Sequence, residues 1–357
     1  VNILKNINIR PFAILLLSLA SLTLGCKKDK DSPTERNSKV YVAGISNAGP
    51  NETWTASIWE NGQVKQLTDG SKNEYAQAIY VANNSVYAAG RQDLGTVNSF
   101  QGKMWKDGVE SLLDNSGHLS EAYDMVVSGT DVYIAGRKRI NDMMIACIWK
   151  NGVPQVLSDG KTDAFIFSIF VHGKDVYATG AARATKDKNS LLIPKVWKNG
   201  VAQTLEATKS AVGNAIFVAN NDVYVAGSED AEQDLNSPRI WKNGKLTTFT
   251  DGLKRGRLDG IAVYNNDVYA VGAVNINQRP SAVLLKNNTL TELTDGSMEA
   301  AAKDIAIYDG DVYVVGFQSS GQNNIKGKLW INGEASDLNG PHANSQSNAY
   351  AIFVTSK

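Results

Sequence analysis

The stretch Val40-Tyr41-Val42-Ala43-Gly44 decides the fold, because the chain repeats it. The same pattern stands at Val86 as VYAAG, at Val132 as VYIAG, at Val176 as VYATG, at Val223 as VYVAG, at Val268 as VYAVG and at Val312 as VYVVG. Its tyrosines, from Tyr41 to Tyr313, lie 46, 46, 44, 47, 45 and 44 residues apart. Seven copies at one period mark an array in which each repeat is one supersecondary unit. The β-branched and aromatic content makes the motif a strand.

Each copy leads into the same series. After a variable stretch comes an apolar pair ending in Trp and a turn, as in Ile58-Trp59-Glu60-Asn61-Gly62 and Ile148-Trp149-Lys150-Asn151-Gly152. Asn-Gly suits a two-residue hairpin, whose central residues both need positive φ. A short strand follows, ending like Leu67-Thr68-Asp69-Gly70. Then comes an alternating strand such as Ala78-Ile79-Tyr80-Val81, and a tight turn like Asn83-Asn84 leads to the next copy. Four antiparallel strands in about 45 residues, with no helical periodicity, describe a propeller blade. The expected fold is all-β, a seven-bladed β-propeller over residues 38–357. The series opens on the motif strand and closes on Ala351-Ile352-Phe353-Val354, so the C-terminal strand should complete the first blade and leave no free circular edge.

The Gly-His and Trp-Asp signatures of WD repeats are absent. A glycine-bearing strand followed by a later Trp resembles the kelch family, although a single glycine stands where kelch repeats carry two. The resemblance implies a propeller and no particular ligand.

The segment before residue 38 has a different character. Lys5 and Arg10 precede the apolar run from Phe12 to Leu24, which is shaped like a signal peptide and short for a membrane span. Thr23-Leu24-Gly25-Cys26 resembles the lipobox of bacterial lipoproteins, with Thr23 where Leu is usual. An ordinary signal peptide cleaved nearby is the alternative. The charged tract Lys27-Lys28-Asp29-Lys30-Asp31 resembles tethers of Bacteroidota lipoproteins, and equally suits a plain solvated linker. The expected organisation is therefore a signal peptide over 1–25, a lipidated Cys26 with a tether over 26–37, and the propeller. The expected address is the outer membrane, on its surface or periplasmic side.

Lys plus Arg and Asp plus Glu are 36 each, so the formal charge is zero. A neutral chain gains little from counterion release, which argues against nucleic acid. Cys147 lies in an apolar stretch and reads as a core residue rather than a nucleophile. A monomer is expected.

Long connections should gather on one end of the ring, and function concentrates on such loops. Seven residues stand two positions before the repeated Ile or Met of the alternating strand, at the expected channel mouth: Gln77, Tyr123, Phe167, Asn214, Asp259, Lys303 and Tyr350. One position on, small residues suit a crowded axis, and Asp124 and Asp304 depart from that pattern. Amides, acids and aromatics at a mouth suit sugar hydroxyls and sugar faces; they also suit packing between blades. Trp54 lies outside the repeat. Arg91, Arg137 and Arg183 are expected on long loops, where they could meet an acidic glycan or protein patch.

Motifs of catalysis are lacking. There are three His, and no Gly-x-Ser-x-Gly, His-Glu-x-x-His or phosphate-loop pattern occurs. Asp230-Ala231-Glu232-Gln233-Asp234 alternates carboxylates but lacks the glycine and final Glu of an EF-hand. Asp69, Asp159, Asp251 and Asp295 precede glycine and read as turn formers. No cofactor or metal is expected. The leading expectation is a lipid-anchored binding module for a glycan or protein. The alternative is a polysaccharide-acting enzyme, a glycoside hydrolase or lyase, in which Asp124 and Asp304 would supply two acids.

Overall fold

A computed structural model describes residues 37–47, 53–96, 99–114, 117, 119–230, 236–250, 255–321 and 324–357. Seven four-stranded antiparallel sheets form the blades of a propeller. The inner strands are Ser347–Ser356 in blade one, Glu74–Ala82 in blade two, Ser120–Ser128 in blade three and Ala164–His172 in blade four. Ala211–Ala219, Gly256–Tyr264 and Glu299–Tyr308 follow in blades five to seven. In blade three the order continues outward through Asp131–Ile140, Met143–Lys150 and Val153–Val156.

The ring closes as its two end strands require. Ser347–Ser356 pairs with Ser38–Ser46, the motif strand of blade one, with Val42 opposite Ile352 and Tyr41 opposite Phe353. Further bonds reinforce the seam, from Gln346 N to Asn47 Oδ1 at 2.9 Å and between Ser38 Oγ and Tyr313 Oη at 2.9 Å.

Each of seven apolar clusters lies between consecutive blades. Trp59, Trp105, Trp149, Trp197, Trp241 and Trp330 are all buried there, and Leu285 fills the place in blade six. Several of these indoles also tie blades together: Trp59 Nε1 donates to Asn339 O at 2.7 Å, and Trp197 Nε1 to Leu157 O at 3.1 Å. A buried indole thus supplies both apolar area and a polar handle.

The turn residues do more than reverse the chain. Asn151 adopts φ 50° before Gly152 at 79°. Its Oδ1 accepts from Val132 N at 2.8 Å and its Nδ2 donates to Asp131 Oδ1 at 2.8 Å. Lys150 pairs with the other oxygen of Asp131 at 2.8 Å and lies 5.2 Å from the centre of the Tyr133 ring. The same quartet of Asp, Tyr, Lys and Asn recurs in blades four, five and six.

Two sequence expectations need correction. The motif strand runs on beyond its glycine, to Ser46, Asp93, Ile140 and Arg183 in blades one to four. Consequently Arg91 and Arg137 sit within strands and Arg183 is the last residue of one, rather than lying on long loops. Nor are all the connections after the motif strand long: that of blade three is a two-residue turn at Asn141-Asp142, and that of blade six is one at Asn277-Gln278.

Candidate functional site

The inner strands carry one irregularity each, at the same place. Pairing with the motif strand skips Gln77, Tyr123, Phe167, Asn214, Asp259, Lys303 and Tyr350 in turn. These are the seven residues that the sequence places at the mouth. Each lies several residues inside its strand rather than at its start, and each is half-buried. A bulge leaves one residue unpaired and re-aims its side chain. The motif glycine explains how the bulge fits: a Cβ on Gly90, Gly136 or Gly180 would overlap the carbonyl oxygen of Tyr75, Glu121 or Phe165.

On blades one to four the bulged residues meet an aromatic and cationic wall. Glu121, 2% exposed, stands at its centre. Its Oε2 accepts from Arg91 Nη1 and from Tyr123 Oη, both at 2.7 Å, and its Oε1 accepts from Arg137 Nε at 3.0 Å and from Arg137 Nη2. The Arg91 guanidinium lies 5.0 Å from the Tyr75 ring centre and 4.3 Å from that of Phe100. Arg137 lies 5.8 Å from Tyr123 and 5.4 Å from Phe165. Tyr123 packs tilted against Phe167 at 5.3 Å, and Phe165 stacks on Phe167 at 6.2 Å. Burial pushes the Tyr123 and Tyr350 phenols up, so both stay neutral hydrogen-bonding groups; nearby Tyr75 adds to the effect at Tyr350 and Arg91 opposes it.

Blades five to seven present a different surface. Asp259 accepts from Arg257 Nε at 2.9 Å and from Lys303 Nζ at 3.0 Å, and Asn214 Nδ2 donates to Leu258 O at 2.9 Å. These three predicted residues strut one blade to the next.

Asp124 and Asp304 occupy equivalent positions beside the bulges. Each uses one oxygen to accept from the N–H that follows it and the other to reach the next blade. Asp124 Oδ2 accepts from Ser168 Oγ at 2.8 Å and Ile169 N at 2.9 Å; Asp304 Oδ2 accepts from Ile352 N at 2.9 Å. Desolvation outweighs these bonds and pushes the carboxyls up to about 6 and about 7, with the charge of Asp124 adding to the shift of Asp304.

The remaining predicted residues have partners of their own. Arg183, at the end of its strand, donates to Ser190 O at 2.9 Å and pairs with Asp163 at 3.9 Å. Trp54 is half-buried, its backbone N–H bonded to Asn73 Oδ1 at 2.8 Å. Cys147 is buried, with its thiol pushed up to about 12 by desolvation. Asp69, Asp159 and Asp295 each cap the N–H two residues on, as turn formers do. Cys26 and its tether, His118, Asp251 and the acidic run 231–234 lie outside the described residues. Among the described residues no three His, Cys, Asp or Glu side chains gather to hold a metal ion.

Sequence reading missed Glu121, Tyr75, Phe165 and Phe100. A signal was present for three of them. Tyr75, Glu121 and Phe165 stand two before a bulged residue, and Arg91 and Arg137 directly follow the motif glycine, facing Tyr75 and Glu121 across the pair.

Neither a family model nor a curated protein sequence matches the chain. Solved structures do resemble it. The propeller domain of the Trilobed protease from Pyrococcus furiosus is 10% identical, with a TM-score of 0.49 over 87% of this chain and 94% of that one. The acylaminoacyl peptidase of Pyrococcus horikoshii is 12% identical, with a TM-score of 0.50 over 85% of this chain. The match takes in 51% of that peptidase, so the chain spans about half its length. At such identity the likeness shows the fold alone.

Proposed function

We propose that the protein is a saccharide-binding module whose ligand docks against the wall of blades one to four. The observation that carries this reading is the convergence of Tyr75, Tyr123, Phe165, Phe167 and two ring-stacked arginines round one buried carboxylate. The half-buried rings offer apolar edges to a pyranose, while the guanidinium N–H groups that Glu121 does not use remain for its hydroxyls. The test is a glycan and polysaccharide array, repeated with Tyr123→Ala and Tyr350→Ala. Loss of about 2 kcal/mol or more, roughly thirtyfold, is expected for a dominant contact. Asn151→Ala and Asn243→Ala alter turns at the opposite end and should cost stability but leave affinity intact. Weakening by the turn variants alone would invert the face.

A second reading rests on Asp124 and Asp304, whose raised carboxyls are the type that glycoside hydrolysis uses. Their bonds to the next blade's N–H groups favour a fixing role. Product analysis of any bound polysaccharide separates the two: shortened chains that vanish in Asp124→Asn and Asp304→Asn would establish hydrolysis.

We also propose attachment to the membrane through Cys26, on the strength of the apolar run and Gly25-Cys26. Cys26→Ser should move the protein from the membrane to the soluble fraction; unchanged fractionation would refute it.

A further inference from the structure

We infer that the mouth selects saccharides bearing carboxylates, such as uronate polymers, an inference that rests on the saccharide-binding reading. The argument is one of charge. Glu121 accepts at both oxygens from two guanidiniums and a phenol, so its acceptor capacity is spent. The charge of Asp163 also reaches Arg137, and Asp163 is itself paired with Arg183 at 3.9 Å, so three guanidiniums face two carboxylates and one cation is left in surplus beside the aromatic rings. Arg91 and Arg137 keep a fifth of their side-chain surface exposed, at 22% and 20%, while Glu121 is closed off at 3%. The exposed part of the group is therefore its cationic part. Three blades on, in the different surface of blades six and seven, Asp259, 14% exposed, is likewise held between two cations, Lys303 at 20% and Arg257 at 47%.

A guanidinium fork matches a carboxylate in two parallel hydrogen bonds, and the rings beneath Arg91 and Arg137 hold those forks in place. The rings beside Arg91 and Arg137 are half-buried, so part of each guanidinium's surroundings is apolar and solvent screens it less than it would a fully exposed cation. Guanidinium N–H groups beside half-buried aromatic rings match the carboxylate and the apolar ring edge of a sugar acid. An extended acidic protein patch would need a broader exposed face, which the strand positions of Arg91 and Arg137 do not supply.

The test compares pectate, alginate and hyaluronate with their carboxyl-reduced neutral counterparts, and with poly-L-glutamate, by calorimetry on the purified protein. At least one uronate polymer should bind about tenfold or more tightly than its reduced form, with affinity falling as salt rises. Arg91→Gln and Arg137→Gln should each erase most of that preference. Since either can disturb folding by depriving Glu121 of a donor, Glu121→Gln gives an independent answer: it raises the surplus charge by one, so uronate binding should tighten by several-fold. Unchanged or weaker uronate binding in Glu121→Gln overturns the inference. Equal binding of acidic and reduced polymers overturns the inference and leaves saccharide binding standing. Poly-L-glutamate binding as tightly as the best polymer, or no polymer binding at all, overturns both.

Discussion

A Cβ on Gly136 would overlap the carbonyl oxygen of Glu121, the residue that holds both arginines. Backbone cannot yield there as a flexible side chain would, so Gly136→Ala should displace the bulge at Tyr123. Overpacking of this kind costs about 1–3 kcal/mol. Gly129, in contrast, has φ 61° and nothing within reach of an added Cβ. Gly129→Ala meets only the penalty of a left-handed L-residue, about 1–2 kcal/mol. Chemical denaturation of the two variants should place Gly136→Ala lower in stability, and ligand affinity should fall in Gly136→Ala alone. An equal cost with no change in binding would detach the glycine from the bulge.

The strand Ser347–Ser356 belongs to the first blade although it is the last of the chain. Removing residues 349–357 would strip the inner strand from that blade and expose the edge of Ser38–Ser46. It would also lose Ile352, which packs with Val42 and Trp59 at the seam of blades one and seven. Burial of each such side chain stabilises by about 1.5–3 kcal/mol, a large share of the roughly 5–15 kcal/mol that holds a domain folded. Exposed strand edges add a tendency to aggregate. Scanning calorimetry and light scattering should show a large drop in melting temperature or aggregation; a truncated chain as stable as its parent would contradict the closure.

Acidity acts on the ring as a whole through Asp124 and Asp304. Their folded pKa values, about 6 and about 7, lie above the ordinary 3.8. Between about pH 4 and pH 7 the folded ring therefore binds more protons than the unfolded chain, and stability falls as pH rises through that window. The contribution is most favourable at the acid end and is lost once both carboxyls are charged. Asp304→Asn carries no titrating group there, so its melting temperature should depend less on pH between 5 and 8 than that of the parent. Profiles of identical slope would remove Asp304 from the account.

The sequence by itself determined the architecture. Seven motif copies, Asn-Gly turns and a Trp or Leu285 in each unit are local chemistry repeated at a constant spacing, and a repeat that cannot bury its faces alone must stack. The unmatched first and last strands made the closure legible too, because an edge left unpaired is costly. The seven inner-strand positions that share one bulge were also readable as a set, since they keep a constant offset from the repeated Ile or Met. Only the tertiary structure decided which contacts those positions make. Period-two alternation assigns a face, but the bulge at Tyr123 breaks the alternation, and nothing local announces a bulge except a glycine on the partner strand. Glu121 takes Arg91 from the neighbouring blade, and Asp304 reaches Ile352. Such contacts depend on the angle and stagger between blades, which arise from packing the whole ring rather than from any one repeat.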